Sequence, residues 1–347
     1  MYNKISLLWF LFFLMEVTLM VYVNIIDAGH GDCILLDFTH TLILIDSGPK
    51  TFLIRRNVIE KLKGLLNDRK IDIAIVTHND DDHIGGYEYV ISAGIKIEKF
   101  IFNSLSICGK IFTEHEKQIS YNQDVNLDAC IKDKRISLEE LVFGNEPVFI
   151  NNIKIMPLTP TIDALNYMHD NYIKKNQPQI SADDKIEPTL LECIEEVVNS
   201  SDKFLPDRSI TNRTSLSLII EYNAFRGLFL GDAWASDIIE SFRLNQVEPD
   251  FCVTKLSHHG SERNVNSELI NIIGKTEYII CADKSKHNHP NNKTFARILS
   301  QFPQATFHFS SDNDNVRSIF SENNVLEYQV LCTYSSNGVN VRYYECS

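Results

Sequence analysis

The stretch His78-Asn79-Asp80-Asp81-Asp82-His83-Ile84-Gly85-Gly86 directly follows an apolar run, Ile71–Val76, that has the composition of a buried strand. It places two imidazoles and three carboxylates where a strand ends and a helix is predicted to begin. Imidazole and carboxylate are the side chains that bind zinc, iron and manganese in proteins. Adjacent carboxylates without a cation repel one another, although a solvated acidic turn is the alternative interpretation. The pattern, with its Gly-Gly ending, therefore predicts a metal-binding loop.

Further segments follow the order of the motifs of one known superfamily. They are Asp27–Cys33, Leu42–Gly48, Asn212–Leu218, Leu228–Ala233, Lys255–Ser261 and His289-Pro290. Together with the Thr-His-x-Asp-x-Asp-His-x-Gly-Gly pattern, they resemble the motifs of the metallo-β-lactamase superfamily. The form is most similar to the hydrolase domains of bacterial DNA-uptake competence channel proteins and their free-standing relatives. The resemblance covers residues from about 21 to 290, and it is specific because the whole set appears in order.

The resemblance implies a four-layer αββα sandwich, a fold of the α/β (α+β) class with insertions. The alternation of strand patterns and helical stripes along the chain is typical of such a mixed fold. We expect one hydrolase domain over residues 21–347. Two polar segments, near 108–141 and 161–208, are predicted insertions, either substrate-shaping lids or decoration without a catalytic role. The sequence around Asn337-Gly338 predicts a terminal hairpin.

Residues 1–20 form an apolar extension ahead of the first family-like strand. Residues 5–15 resemble the apolar core of a signal peptide, are short for a membrane span, and lack a following small-x-small cleavage site. A signal segment, a membrane-associated anchor and an upstream extension of a cytosolic protein starting at Met15 or Met20 are the alternatives. We expect the last of these, and hence a cytoplasmic protein.

The composition is that of a globular protein, with 44% hydrophobic and 23% charged residues and a net charge of −13. This charge argues against a protein that coats nucleic acid non-specifically, because phosphate binding needs clustered lysine and arginine. It does not exclude nucleic-acid chemistry, since two divalent cations would reverse the field locally. The eight cysteines include no C-x-x-C pair, which indicates free thiols rather than a zinc knuckle or a disulfide framework.

Asp232 ends the apolar strand within Leu228–Ala233 and is the candidate bridge between two metal ions. Two cations about 3.5–4 Å apart repel unless an anion lies between them, and an ionised carboxylate at such a position must be paired or coordinated. An Asp that caps the following helix is the alternative. The resemblance implies a first metal site and a second one that share this carboxylate. The first comprises His78, Asp80 and Asp232, and the second comprises Asp82, His83, Asp232 and one histidine of the His258-His259 pair.

The His258-His259 pair is predicted to divide two roles. On an extended chain adjacent side chains point in opposite directions, so one histidine ligates while the other faces the substrate as an acid for the leaving group. We expect His259 to be the ligand and His258 the catalytic acid. Asp82 is expected to be catalytic as well, because it both holds a metal and orients the attacking group.

Two positions depart from the wider superfamily, since Asp80 and Asn212 stand where many members carry histidine ligands. Both changes match the competence-type branch and leave the first site rich in oxygen. We therefore expect two divalent metal ions, with zinc as the first choice and manganese as the alternative. Behind the ligands, Asn212 and three carboxylates are predicted to anchor the site rather than to bind metal. These carboxylates belong to Asp27, Asp32 and Asp46.

His30, Lys255 and His289 are candidate substrate-binding residues. Several cations lie in or beside the His-His-Gly-Ser and His-Pro loops, and their charge favours an anionic small-molecule or nucleic-acid substrate. They are Lys255, Arg263, Lys284, Lys286 and Lys293. Ordinary surface lysines are the alternative interpretation, and nothing in the sequence identifies a protein partner.

The nucleophile is expected to be a metal-bound hydroxide, because coordination lowers the pKa of water towards neutrality. The sequence therefore predicts a binuclear hydrolase that acts on a phosphodiester. A hydrolase of a lactone, thioester or β-lactam is one alternative, since one fold serves many functions. A metal-stabilised sensing or partner-binding module without activity is the other.

Overall fold

The structure is a computed structural model that describes residues 19–104, 119–172, 187–321 and 327–346, with backbone alone for 119–121 and 169–172. The predicted extension therefore lies outside the described residues up to residue 18, and so do parts of both predicted insertions, including Cys108. No helix in the described ranges has the length and apolar character needed to cross a bilayer.

The described residues form two β-sheets. In chain order the strands are β1 Met20–Ile26, β2 Ile34–Asp37, β3 Leu42–Ile45, β4 Ile71–Val76, β5 Ile97–Phe102, β6 Ser137–Glu139, β7 Val148–Ile150, β8 Ile153–Thr159, β9 Ser217–Tyr222, β10 Phe225–Phe229, β11 Val253–Lys255, β12 Glu277–Ile280, β13 Gln304–Phe309, β14 Gln329–Thr333 and β15 Val339–Glu345. The first sheet has the order β15-β1-β2-β3-β4-β5-β6, and the second has the order β14-β13-β12-β11-β10-β9-β8-β7.

Helices lie between and outside these strands. They are α1 Phe52–Leu66, α2 Asp81–Ile84, α3 Tyr87–Ser92, α4 Ile119–Asp133, α5 Ile162–Tyr172, α6 Leu190–Val198, α7 Ile210–Arg213, α8 Ala235–Asn245, α9 Ser267–Ile273, α10 Asn292–Gln301 and α11 Asp314–Arg317, with short 3-10 turns at Ser257–Gly260 and Ser318–Phe320.

Alternate residues of the central strands explain the layers. Along β2, Ile34 and Leu36 join a core that lies between the two sheets, whereas Leu35 joins a core formed with α1 and α3 on the outer face. On the outer face of the second sheet, α8, α9 and α10 contribute to two more cores. Strands covered on both faces are apolar throughout, which is why they appear in the sequence as continuous runs. This arrangement confirms the predicted αββα sandwich.

The terminal hairpin prediction is wrong. The two strands flank Asn337-Gly338 as expected, but β14 pairs with β13 in the second sheet and β15 pairs with β1 in the first. The turn therefore carries the chain from one sheet to the other. Strand propensity and the turn signal fix the two strands and the reversal between them, but the partner of each strand is decided by tertiary packing.

The described parts of the predicted insertions contribute to the cores. Leu127 and Ile131 of α4 pack under the first sheet, and β6 extends that sheet as its edge strand. Leu190 and Ile194 of α6 are buried in the core that includes α10. Helical stripes in polar surroundings thus bury their apolar side chains on the sandwich itself.

The topology gathers the loops that carry the sequence motifs. Strands β3 and β4 run parallel, and so do β10, β11 and β12. The carboxyl ends of parallel strands meet at one edge of a sheet, so the segments that follow these strands lie close together. The next residues after β3, β4, β10 and β11 are the ones that the motifs single out.

Candidate metal centre

Asp232 lies at the centre of the cluster, three residues after β10, with only 2% of its surface exposed. Its backbone N–H donates to Ser215 Oγ at 2.8 Å. The preceding Gly231 has a φ of +51°, and a Cβ there would collide with the same hydroxyl. Glycine is therefore required for the chain to turn Asp232 towards the histidines.

His78 and His83 approach this carboxylate from the metal-binding loop. Nε2 of His83 lies 3.4 Å from Oδ1 of Asp232, and Nε2 of His78 lies 3.8 Å from Oδ2. On the other side of its ring, His83 Nδ1 is 2.8 Å from Asp46 Oδ2, whereas His78 Nδ1 is 3.1 Å from Thr77 Oγ1. Both rings are thus held through Nδ1 with Nε2 turned towards Asp232.

His258 and His259 both face Asp232, so the expectation that they point in opposite directions is wrong. Nε2 of each lies 3.7 Å from Oδ2 of Asp232. The expectation assumed an extended chain, but the pair sits in a tight turn after β11 with φ values of +47° and +55°. Two successive left-handed residues curl the backbone so that adjacent side chains reach the same space. His258 is consequently placed to ligate, not only His259.

The two histidines are oriented by different partners. His259 Nδ1 lies 2.8 Å from the carbonyl oxygen of Cys281, and its Nε2 is 3.3 Å from Asp82 Oδ2. His258 Nδ1 lies 2.9 Å from Asn264 Oδ1. In both cases an oxygen acceptor requires the proton on Nδ1, which leaves Nε2 with its lone pair free to bind a cation.

The amide of Asn264 is itself fixed. Its Nδ2 donates to Asp207 Oδ2 at 3.0 Å and to the carbonyl oxygen of Asp232 at 3.1 Å, so its oxygen must face His258. Asn212 donates to the same Asp207 oxygen at 2.7 Å and lies 3.3 Å from His258 Nδ1. Asn212 therefore stands on the Nδ1 side of His258, as an anchor would.

Asp46 and Asp32 lie beneath the histidines. Both oxygens of Asp46 are used, since Oδ1 accepts from Thr77 N at 2.8 Å and Oδ2 faces His83. Asp32 Oδ1 is 3.0 Å from His259 Nδ1, and its Oδ2 pairs with Lys255. Ligand atoms of Asp32, His83, Asp232 and His259 lie within 4.8 Å of one another. We assign Asp32 to the support of the site because its second oxygen is taken by the Lys255 ammonium.

Lys255 is a correction to the sequence analysis. It is 2% exposed, pairs with Asp32, donates to the carbonyl oxygen of Gly231 at 2.9 Å and lies 3.7 Å from Asp232 Oδ1. A buried ammonium in this position is part of the interior of the centre and cannot bind a substrate as a surface cation. The sequence motif placed Lys255 near the site, but its burial follows from its position at the end of β11.

Asp27 was predicted to anchor the metal ligands, but its carboxylate contacts other groups. Its carboxylate accepts from Gly29 N at 3.0 Å and from Ser311 Oγ at 2.8 Å. These hydrogen bonds join two loops. Among the described residues, neither of them involves a histidine of the centre. Burial, opposed by these hydrogen bonds, raises the pKa of this carboxyl.

His30 and His289 lie beside the centre. The ring of His289 is 4.9 Å from that of His258, and its Nδ1 is 3.2 Å from Asn291 Oδ1. Burial lowers the pKa of His289 well below its usual value, with the neighbouring histidines adding to the effect, and burial also lowers the pKa of His30. Both rings are thus neutral near pH 7, which suits hydrogen bonding rather than charge pairing.

The other predicted cations are partly neutralised by local partners. Lys284 pairs with Glu187 at 3.0 Å and Lys293 with Glu196 at 2.7 Å. Lys286 is exposed in the loop before His289. The positive charge expected around the two loops is therefore smaller than the sequence alone indicates.

Charges inside the centre shift the pKa values of its histidines. Burial would lower the pKa of His259, but Asp232, Asp32 and Asp82 raise it to about 10. The same opposition, led by Asp232, raises the pKa of His83 well above its usual value. Conversely, burial would raise the pKa of Asp232, but the histidines hold it well below its usual range. The site is therefore strongly polarised towards binding positive charge.

The donor set fits divalent cations. Several buried atoms without a hydrogen-bond partner among the described residues converge here, including His78 Nε2, His83 Nε2, His259 Nε2, Asp232 Oδ1 and Asp32 Oδ1. Two atoms bound to one such ion at about 2.0–2.2 Å stand roughly 3–4 Å apart, which is the range of the separations above. Buried nitrogen and oxygen atoms left unpaired are costly, so a bound cation explains their arrangement.

The comparisons with known proteins agree with the fold. Residues 26–98 match the family model described as Metallo-beta-lactamase superfamily, a segment that includes the His78–His83 loop. Together with the two packed sheets, this match supports the metallo-β-lactamase fold that the motifs predict. The finer resemblance to competence channel proteins stays a prediction. No curated protein matches this chain in sequence.

Solved structures similar to this chain have low identity. The metallo-β-lactamase fold protein YhfI from Bacillus subtilis has 10% identity and a TM-score of 0.44, covering 93% of this chain and 100% of its own. A diphosphatase of the PhnP family has 10% identity and a TM-score of 0.44, covering 94% and 98%. The metallo hydrolase Igni18 from Ignicoccus hospitalis has 14% identity and a TM-score of 0.40, covering 94% and 99%.

Sequence reasoning missed Asp207, Asn264 and the carbonyl group of Cys281. Asp207 falls in the segment interpreted as an insertion, and Asn264 follows the His-His-Gly-Ser motif without a pattern of its own. A carbonyl oxygen leaves no signal in the side-chain sequence at all. These groups act through the histidines, so only the geometry identifies them.

Proposed function

We propose that this chain is a metal-dependent hydrolase of phosphodiesters that holds two divalent cations, zinc or manganese, around Asp232. The observation that carries the proposal is the convergence of four imidazole Nε2 atoms within 3.8 Å of one buried carboxylate. One cation cannot use four imidazoles and the flanking carboxylates in a compact shell of four to six donors. A shared carboxylate between two cations accommodates them all.

The donors divide into two groups of three. The buried half comprises Asp82, His83 and His259, and the open half comprises His78, Asp80 and His258. In the open half, Asp80 Oδ2 lies 3.6 Å from His78 Nε2, and the His78, Asp80 and His258 side chains are 0%, 33% and 23% exposed. In the buried half, the His83, His259 and Asp82 side chains are 0%, 4% and 21% exposed. With His258 included, each half has two imidazoles. The open half is therefore less rich in oxygen than the sequence indicated, which favours zinc over manganese there.

The balance of charge also supports two cations. Carboxylates that lie within 4 Å of a histidine ring nitrogen of this centre belong to Asp32, Asp46, Asp80, Asp82, Asp207 and Asp232. Lys255 contacts two of them. When the histidines are neutral, as metal ligands must be, one ammonium against six carboxylates leaves a large excess of negative charge in a region largely closed to water. Two divalent cations would offset most of it, whereas one would leave strong like-charge repulsion.

The chemistry follows from the residues around the cations. When bound, the cations would lower the pKa of water and stabilise negative charge on a phosphoryl group. Asp82 is placed to orient the attacking group because its carboxylate is partly exposed beside His259. His30 and His289 border the centre as neutral rings that can hydrogen-bond to the substrate without opposing its charge.

The reaction class is tested with metal-loaded protein on substrates whose hydrolysis changes their absorbance. Bis-p-nitrophenyl phosphate is set against an S-(4-nitrophenyl) thioester, a lactone and a chromogenic β-lactam at equal concentration, each followed by its own absorbance change. We expect the phosphodiester to have the largest kcat/KM and Asp82→Asn to reduce it by about 10³-fold. A higher kcat/KM on a carbonyl substrate would replace the phosphodiester assignment while leaving the metal centre in place.

A further inference from the structure

His289 borders the open half of the metal centre and is held from one side of its ring. The ring centroid lies 4.9 Å from that of His258, and Nδ1 is 3.2 Å from Asn291 Oδ1. Within the described part of the chain, Nε2 of this ring has no hydrogen-bond partner. The orientation of His289 therefore depends on how firmly Asn291 is fixed.

The amide of Asn291 has one orientation that satisfies its neighbours. Its Oδ1 accepts a hydrogen bond from the backbone N–H of Glu262 at 3.0 Å, so this atom must be the oxygen. A carbonyl oxygen can only accept, so a neutral His289 must carry its proton on Nδ1 and keep the lone pair on Nε2. In this form His289 can accept a hydrogen bond from a water molecule or from a hydroxyl group of a substrate.

The His289 loop, residues 284–291, has an unfavourable backbone conformation. Lys284, His287 and Asn288 have φ values of +59°, +55° and +55°. Non-glycine residues in the left-handed region cost energy, least for Asn, so such a loop persists only where its surroundings hold it. Lys284 donates from its backbone N–H to the carbonyl oxygen of His289 and from Nζ to that of Pro290, both at 3.1 Å. These bonds close the loop on itself, and contacts from outside must fix it in place.

Glu187 joins the two ends of the His289 loop from outside. One carboxylate oxygen, Oε2, pairs with Lys284 Nζ at 3.0 Å. The other, Oε1, accepts from the backbone N–H of Asn292 at 2.8 Å and lies 3.5 Å from Asn291 Nδ2. The Glu187 and Lys284 side chains are 21% and 13% exposed, so water screens the pair only in part. One carboxylate thus contacts both the first residue of the loop and the amide that orients His289.

Glu187 is itself anchored on the sandwich. It lies two residues before Thr189, the N-cap of α6, which forms a capping box with Glu192. Helix α6 buries Leu190 and Ile194 in the core that also contains residues of α10. The end of a capped and packed helix is a fixed point, so a carboxylate beside it can hold a neighbouring loop.

We propose that Glu187 is a positioning residue for His289, which closes the His289 loop and fixes Asn291 so that the ring keeps its proton on Nδ1. The end of the polar segment near 161–208 is then part of the support of the metal centre rather than decoration. The action of His289 on a substrate rests on the proposed function, whereas the orientation of its ring does not.

The orientation is tested by nuclear magnetic resonance of the full chain labelled with ¹⁵N in its histidines, with zinc added. The signals of His289 are identified by their absence from His289→Gln, and in the wild type we expect the proton on Nδ1. Glu187→Gln should bring the two nitrogen shifts towards each other, because both tautomers become populated once the loop is released. Lys284→Met, which releases the loop at its first residue, should act in the same direction. Glu195→Gln, the same change at an exposed residue of α6, should leave the signals as in the wild type.

Kinetics test whether Glu187 acts through His289. On bis-p-nitrophenyl phosphate, His289→Gln should lower kcat/KM by about 10²-fold and Glu187→Gln by about tenfold. Two residues that act through the same group are not additive, so adding Glu187→Gln to His289→Gln should cause no further loss.

The two measurements separate this inference from the proposed function. If the phosphodiester is not hydrolysed, the proposed function fails, and a shift of the His289 signals in Glu187→Gln still supports the positioning role. Signals of His289 that are the same in the wild type, Glu187→Gln and Lys284→Met overturn it. A further tenfold loss of kcat/KM from Glu187→Gln in the His289→Gln background overturns it as well.

Discussion

The two halves of the metal centre differ in what stands behind their histidines. In the buried half, His83 is backed by the carboxylate of Asp46, and His259 by the Cys281 carbonyl oxygen with Asp32 beside it. In the open half, His78 is backed by hydroxyl groups and His258 by a neutral amide. A carboxylate behind an imidazole makes it a stronger ligand. If two cations bind as proposed, this difference predicts that the buried half holds its cation more tightly than the open half holds its own.

The first prediction concerns Asp232, the carboxylate that both halves share. Asp232→Asn keeps the shape of the side chain but takes away the charge between the two groups of donors. We expect hydrolysis of bis-p-nitrophenyl phosphate to fall by at least about 10³-fold, because preorganised electrostatics at the reacting centre are lost. Asp68→Asn, the same change at an exposed carboxylate on the surface, is the control. A variant that retains a tenth of the wild-type kcat would mean that Asp232 does not link the halves.

The second prediction concerns the buried ammonium of Lys255. Lys255→Ala leaves Asp32 buried without its partner, so we expect a loss of about 3–5 kcal/mol in the free energy of unfolding, measured by denaturant titration. Salt should not diminish this loss, because the pair is shielded from solvent. Lys286→Ala, at an exposed lysine, should leave stability within about 0.5 kcal/mol. Recovery of the Lys255→Ala protein in high salt would contradict the buried role.

Some features of the fold and the metal centre could be predicted from the sequence, and others could not. The bounds of β3 and β4 follow from apolar runs, because a strand covered on both faces leaves a clear pattern, and the αββα class follows from the family resemblance. The motif residues His78, His83, Asp232 and His259 meet as the resemblance implied. The turn at His258-His259 and the burial of Lys255 depend on left-handed backbone and tertiary packing, which residue types alone do not encode.

The third prediction separates the halves directly. Asp46→Asn removes the carboxylate behind His83, and it should weaken binding of the tighter cation by about 10–100-fold. Asp207→Asn acts on the open half through Asn264 and His258, and it should weaken only the looser cation, by a smaller factor. Competition with a metal-sensitive dye measures both affinities. The same loss at both sites from either variant would show that the halves are not distinct.

The fourth prediction concerns protons. Because the carboxylates raise the pKa of His259 to about 10 and also raise that of His83 in the metal-free protein, cations and protons compete for Nε2. Metal affinity should therefore rise with pH up to about 10, and binding near pH 7 should release protons, as calorimetry in buffers of different ionisation enthalpy would detect. Binding without proton release at neutral pH would count against the charged histidines.

The raised pKa of His259 also makes the stability of the metal-free fold depend on pH. A pKa raised above the usual 6.5 stabilises the metal-free fold fully below that pH, and the contribution is lost as the pH rises towards about 10. The Tm of metal-free protein should accordingly fall over this interval, while that of metal-loaded protein should change less, since the cations replace the protons. A metal-free Tm that rises over the same interval would reverse the assigned sign.

The most direct measurement is the stoichiometry of metal binding to metal-stripped protein, by zinc titration with elemental analysis of the product. We expect two zinc ions per chain, taken up in two steps of different affinity, and at least one fewer in Asp232→Asn. A chain that binds no zinc or manganese, or that saturates with a single ion of either metal, would contradict a two-cation centre around Asp232.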